Sequence, residues 1–131
     1  MTMKAAYPLA LLIAFAGSNA YAACIYPDAP KDVPRGKTAT LEQMVAAQEA
    51  IKSFDLAIGD YTACLQAESD AEIARLEQSE SDAKKKEARK KKLTQVLLKK
   101  QNAAVEADKA LAARFNEQLR IFKARDNQDQ N

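Results

Sequence analysis

From Leu41 to Arg125 the chain contains no proline and a single glycine, Gly59. Ala, Leu, Glu, Lys, Gln and Arg dominate this stretch, and these residues lose least on entering a helix. Just before it, Thr40-Leu41-Glu42-Gln43 fits a capping box, in which the threonine hydroxyl accepts from the third helical amide and the glutamine side chain reaches back to the cap amide. A helix is therefore predicted to start at Thr40, and the rest of the fold has to be built around helical packing.

The apolar residues say how such a helix must pack. Met44, Ala47, Ile51, Phe54, Ile58, Tyr61 and Leu65 recur at alternating steps of three and four, the heptad spacing that lines one stripe of a helix. The stripe crosses Gly59 without a change of phase, so this glycine reads as a tolerated weak point and not as a turn. It thins to Ile73 and Leu76, then resumes as Leu93, Leu97, Ala104, Leu111, Phe115, Leu119 and Phe122. Aromatic residues at these spacings read as core, not as a ligand box.

Between the two stripes the charges segregate. Residues 68–82 hold six acids and Arg75, whereas 84–92 hold seven bases (Lys84, Lys85, Lys86, Arg89, Lys90, Lys91, Lys92) and Glu87. A chain reversal between about 78 and 88 lays these blocks side by side, and sets Phe54 opposite Phe115 and Ile58 opposite Leu111, pairs whose positions sum to 169. The competing arrangement is one unbroken helix of about 85 residues, roughly 130 Å long, able to hide its stripe only against another chain. Two features favour it: the segment lacks Gly and Pro, and acids ending one helix with bases starting the next oppose both helix dipoles. The hairpin is the preferred reading. In either case the thin core predicts a protein partner or self-association through the helical seams.

Upstream, residues 24–37 carry Pro27, Pro30, Pro34 and Gly36, and each proline restricts its own φ and pushes its predecessor toward extended geometry. This segment reads as an extended arm. Earlier still, Lys4, an apolar run from Ala5 to Ala16 and Ala20-Tyr21-Ala22 follow the order of a secretory signal peptide. The apolar run has twelve residues, short of the roughly 20 needed to span a bilayer, so no transmembrane segment is expected. The domains are then a signal peptide (1–22), an arm (23–39), a helical hairpin (40–125) and a polar, frayed tail (126–131).

Export bears on Cys24 and Cys64, the only cysteines, because an oxidising compartment favours pairing two thiols that can meet. From Leu41 to Cys64 a helix rises about 35 Å, and the 16 steps from Cys24 to Thr40 can cover about 50 Å in a polyproline-like path. The arm can therefore run back along the helix and close a disulfide worth roughly 4 kcal/mol in the chain-entropy account. Lipidation of Cys24 is the alternative. The preceding Tyr21-Ala22-Ala23 has a lipobox's alanines but an aromatic residue where an aliphatic one is usual, and lipidation would leave Cys64 without a partner. A catalytic dithiol is disfavoured because such thiols usually lie two residues apart.

The rest of the composition narrows the chemistry. With no His, no Trp, three Gly and a formal charge of +2, the common parts of a hydrolase, metalloenzyme or nucleotide-binding enzyme are mostly missing. No catalytic, metal or cofactor-binding residue stands out. Gly36-Lys37-Thr38 resembles the end of a phosphate-binding loop, but the first glycine of that motif would fall at Lys31 and no strand precedes it. The basic run 84–92 offers a surface for anionic partners. Its bases go all round a helix, however, and no aromatic lies within it to stack on bases, so no nucleic-acid partner is expected. The bland reading, a solvated segment neutralised by the neighbouring acids, is preferred.

Cys24-Ile25-Tyr26-Pro27, Pro30, Pro34-Arg35-Gly36, Glu42-Gln43-Met44, Tyr61-Thr62-Ala63-Cys64-Leu65 and Phe115-Asn116-Glu117-Gln118 resemble an uncharacterised group of small exported proteobacterial helical proteins, over roughly half of the mature chain. The resemblance implies export and the Cys24–Cys64 link, and implies no activity or substrate. The fold expected is all-α: a long antiparallel, coiled-coil-like helical hairpin with an extended Pro-rich N-terminal arm tied back by a disulfide. The function expected is that of a non-enzymatic interaction or scaffold component of the cell envelope, in the periplasm or secreted. A periplasmic holdase-type chaperone is the alternative.

Overall fold

The computed structural model describes residues 23–129. The expected signal segment, residues 1–22, lies outside them. Two helices, α1 (Leu41–Ser79) and α2 (Ala83–Asp129), pack along each other as a hairpin, and no strand occurs among the described residues. α1 starts where the capping box puts it: the Gln43 amide donates to Thr40 Oγ1 at 3.2 Å and the Thr40 amide donates to Gln43 Oε1 at 2.9 Å. At the other end α2 runs to Asp129, so 126–129 are helical where a frayed tail was expected.

The reversal is made at Glu80–Asp82 without glycine or proline. Glu80 leaves α1 in an extended conformation, φ −98° and ψ 117°, while its amide still donates to the Leu76 carbonyl. Asp82 then serves as the N-cap of α2, its Oδ1 accepting from the Lys85 amide at 3.0 Å and its carbonyl accepting from Lys86. The carboxylate stands at a helix start that has no acid in its first turn. It answers locally the dipole objection to a turn at this point.

The register differs from the expected one. Thr62 and Gln101 hydrogen-bond across the hairpin, Glu77 pairs with Lys86, and Asp55 faces Asp108; each of these pairs sums to 163, not 169. Relative to the expected alignment, one helix is displaced by six residues, about 9 Å. Phe54 and Phe115 both belong to the core, but not as direct opposites. The cause is the position of the turn, because the Asp82 cap starts α2 ahead of the basic run and not within it.

The core is concentrated in the half of the hairpin away from the turn. Met44, Ile51, Phe54 and Ile58 of α1 meet Ala104, Leu111, Phe115 and Phe122 of α2, with Ala104 and Leu111 the most completely enclosed at 1% and 2% exposure. Over this half the arm lies in the groove between the helices. Val33 packs against the core, and the Tyr26 ring stands edge-on to Phe54 and Tyr61, with centroids 6.5 and 5.2 Å away. The two-helix layer thus gains a third element over its core.

Both ends of the arm are fastened. At the hairpin's open end, Thr38 and Ala39 amides donate to the Arg35 carbonyl, and the Arg125 guanidinium donates to the Lys37 and Ala39 carbonyls at 3.0 Å each while lying over the Phe122 ring. The Gly36 amide donates to Gln118 Oε1 at 2.9 Å, and a Cβ on Gly36 would run into the Gln118 carbonyl oxygen and the Phe122 nitrogen. Gly36 is needed for this close backbone approach and not to cradle a phosphate. At the other end Cys24 is bonded to Cys64, with Cα atoms 5.8 Å apart.

The two glycines therefore predict opposite outcomes. Nothing lies within 4 Å of a Cβ built on Gly59, so Gly59→Ala should raise stability by about 1 kcal/mol in denaturant unfolding. Gly36→Ala should lower it, because backbone atoms of α2 must move; equal effects would contradict this packing.

Candidate functional site

Beyond the disulfide no described residue of the arm covers the groove, which continues toward the turn. Helical periodicity places both parts on one face. On α1, Tyr61, Leu65, Glu68 and Glu72 follow at steps of four, three and four, and Tyr61 is where the arm's Tyr26 sits. On α2, Arg89, Leu93, Val96 and Lys100 fall on the same stripe as Gln118 and Arg125, which hold the arm. Two adjoining clefts, of about 320 and 410 Å³, share Glu72, Leu93 and Val96. Val96 remains 46% exposed.

The floor of the bare groove is apolar and its rims are charged with opposite sign. Leu65, Leu76 and Leu97 are buried beneath it. Ser69 occupies a seam position between Leu65 and Leu76, where its small side chain leaves a notch, and its Oγ is buried with no hydrogen-bond partner. Glu68 and Glu72 border the α1 side, and Arg89, Lys92 and Lys100 the α2 side. Glu68, Arg89, Lys92 and Lys100 form no ion pair among the described residues.

The structure divides the predicted basic surface. Lys86 and Lys90 turn inward and both pair with Glu77 of α1, Lys86 at 3.1 Å, and Lys90 also meets Glu87 at 3.5 Å. The Lys90 hydrogen bond, ahead of that from Lys86, holds the Glu77 carboxyl below the usual carboxylate range, and Glu77 in turn raises Lys90. Arg89 and Lys92 border the groove, while Lys84, Lys85 and Lys91 are exposed. The run is thus partly a clamp on the neighbouring acids and partly a rim, and does not form one continuous basic face. Glu77, the acid that receives both lysines, was not distinguishable in sequence from its five acidic neighbours.

Cys24 and Cys64 are joined, and no free cysteine remains among the described residues. With its sulfur engaged, Cys24 has no thiol to carry an acyl chain in this state. One acidic pair went unnoticed in sequence: Asp55 and Asp108, brought together across the hairpin. Burial, then a hydrogen bond with Asp55 and the negative charge of that residue, push the Asp108 carboxyl above its ordinary value, and Asp108 Oδ1 is enclosed with no hydrogen-bond partner. The signal for this pair was the register, which the sequence alone placed six residues away. Among the described residues no group of His, Cys, Asp and Glu is arranged to hold a metal ion, and no helix is long and apolar enough to cross a membrane.

No family model, curated protein or solved structure matches the chain.

The two carboxylate environments predict opposite pH effects. Glu77, held low in the folded state, contributes stability above the ordinary carboxylate pKa that is lost as pH falls through its folded value. Asp108, held high, does the reverse: its contribution is full below the ordinary value and is lost as pH rises through the raised one. Asp108→Asn should therefore raise the melting temperature at neutral pH and leave it nearly unchanged in acid. A lower melting temperature at neutral pH would contradict this account.

Proposed function

We propose that this chain is a non-enzymatic, exported helical protein that serves as an interaction or scaffold component of the cell envelope, a member of the small proteobacterial group its motifs resemble. The observation that carries this reading is the division of the hairpin. One half is sealed by the arm, and the other presents an apolar groove between rims of opposite charge. A disulfide at the boundary is compatible with an oxidising compartment. Exposed apolar surface framed by polar residues is the usual form of a protein-binding site.

The holdase reading draws on the same groove, since Val96 is about half exposed within it and could take extended apolar client segments. It requires suppression of aggregation of an unfolding client protein, weakened by salt.

Two measurements test the main reading. Intact mass of the protein recovered from the envelope should correspond to residues 23–131 less two hydrogens, and should gain two alkyl groups only after reduction. An acyl-bearing mass would move it to the membrane surface with Cys64 unpaired. A photo-cross-linker replacing Val96 should give discrete adducts with envelope proteins in living cells, and one replacing the outward-facing Lys52 should not. Equal labelling from both positions, or none, would sink the proposal.

A further inference from the structure

We infer that the bare groove near the turn is covered by the same groove of a second copy, with the two hairpins parallel and related by a two-fold axis running along them. The inference rests on the proposed interaction role and names the partner and the pose. The argument is one of charge. Viewed onto the groove, one rim carries Glu68 and Glu72, with Glu72 also paired to Arg75 of its own helix at 2.9 Å, and the other is basic, Arg89, Lys92 and Lys100. Apolar floors brought face to face can be arranged by a two-fold in the contact plane in two ways. An axis across the hairpins sets α1 on α1 and α2 on α2, acid against acid and base against base. An axis along the hairpins sets α1 of each copy on α2 of the other.

Only the second arrangement gives attraction on both rims. It also keeps the levels matched. Positions that sum to near 163 stand at one height along the hairpin, as Thr62 with Gln101 and Glu77 with Lys86 do, so Glu72 of one copy meets Lys92 and Arg89 of the other at nearly its own height. Glu68 falls between Lys92 and Lys100, within reach of either long side chain. Glu68, Arg89, Lys92 and Lys100, which make no ion pair within the chain, gain partners this way, and Leu93 and Val96 leave water.

The arm limits the contact. It fills this face from the open end to Cys24, so the copies meet only from about Leu65 to the turn on α1 and from the turn to about Lys100 on α2. There the four helical segments make a short bundle of the kind that heptad-spaced Leu and Val residues favour. The arm-covered halves diverge, and the turns lie together at one end.

Light scattering on the intact, disulfide-bonded mature protein should give twice the chain mass at low ionic strength, falling toward one chain mass as salt screens the rims. The double variant Glu68→Lys/Glu72→Lys and the triple variant Arg89→Glu/Lys92→Glu/Lys100→Glu should each give a single chain mass while keeping the wild-type helical circular dichroism. Mixed in equal amounts they should recover the doubled mass. Ser81→Cys, at the turn, should cross-link between copies with a short bifunctional maleimide. A single chain mass for the wild type at every concentration, a doubled mass for either variant alone, or no cross-link at Ser81 overturns the inference. A monomeric wild type whose Val96 position still captures other envelope proteins leaves the proposed function standing without this inference; a dimer whose Val96 position captures only a second copy supports the inference and removes the wider scaffold role.

Discussion

The arm in the groove is the contact on which the rest of the fold depends. Two helices alone form one layer of apolar contact with a solvent-filled furrow on each side, which is too thin a core to hold long helices together. Here residues 24–39 enter that furrow as a third element, bringing Tyr26 onto Phe54 and Tyr61 and Val33 onto the core. An extended, proline-containing strap makes few hydrogen bonds of its own, so it must be fixed at its ends. Arg125 and Gln118 fix one end, and the bond from Cys24 to Cys64 the other.

The same geometry explains why the molecule is uneven along its length. The arm reaches only as far as Cys64, so the helices beyond are held by Leu65, Leu76 and Leu97 and by the Glu77–Lys86 and Glu77–Lys90 pairs. These ion pairs lie at the solvated surface, where such pairs add little to stability. Their greater role is positional. By drawing the start of α2 onto the end of α1 they favour the reversal over a continuous helix, and the Asp82 cap supplies the negative charge that the lysine-rich first turn lacks. Packing is thus concentrated at the arm-covered end, while toward the turn the two helices are held by fewer apolar contacts.

Much of this was legible in the sequence because it follows from local rules. The Thr40–Gln43 box, the proline-restricted arm and the three-four apolar spacing each have one structural reading, and the reach of the arm made the disulfide feasible. What was not legible depended on where the two helices meet. The Asp82 cap competes with other Ser and acidic candidates between 79 and 82, and moving the turn by three residues moves the facing pairs by six. The Asp55–Asp108 pair and the choice of Glu77 as lysine acceptor follow only from the true register. The groove itself was hidden for another reason: Leu93 and Leu97 read equally as core, and among the described residues the arm does not extend over their side of the hairpin.

The central claim is that the disulfide-fastened arm, and not helix-on-helix packing alone, holds the hairpin closed. Native-state hydrogen exchange of the oxidised protein and of a Cys24→Ser/Cys64→Ser variant tests it most directly. The account predicts that amides of residues 44–58 and 104–122 are the most protected when the bond is present and lose most of that protection without it, while amides beyond Leu65, which the arm never covers, change little. Protection of 44–58 and 104–122 that survives loss of the bond would contradict it.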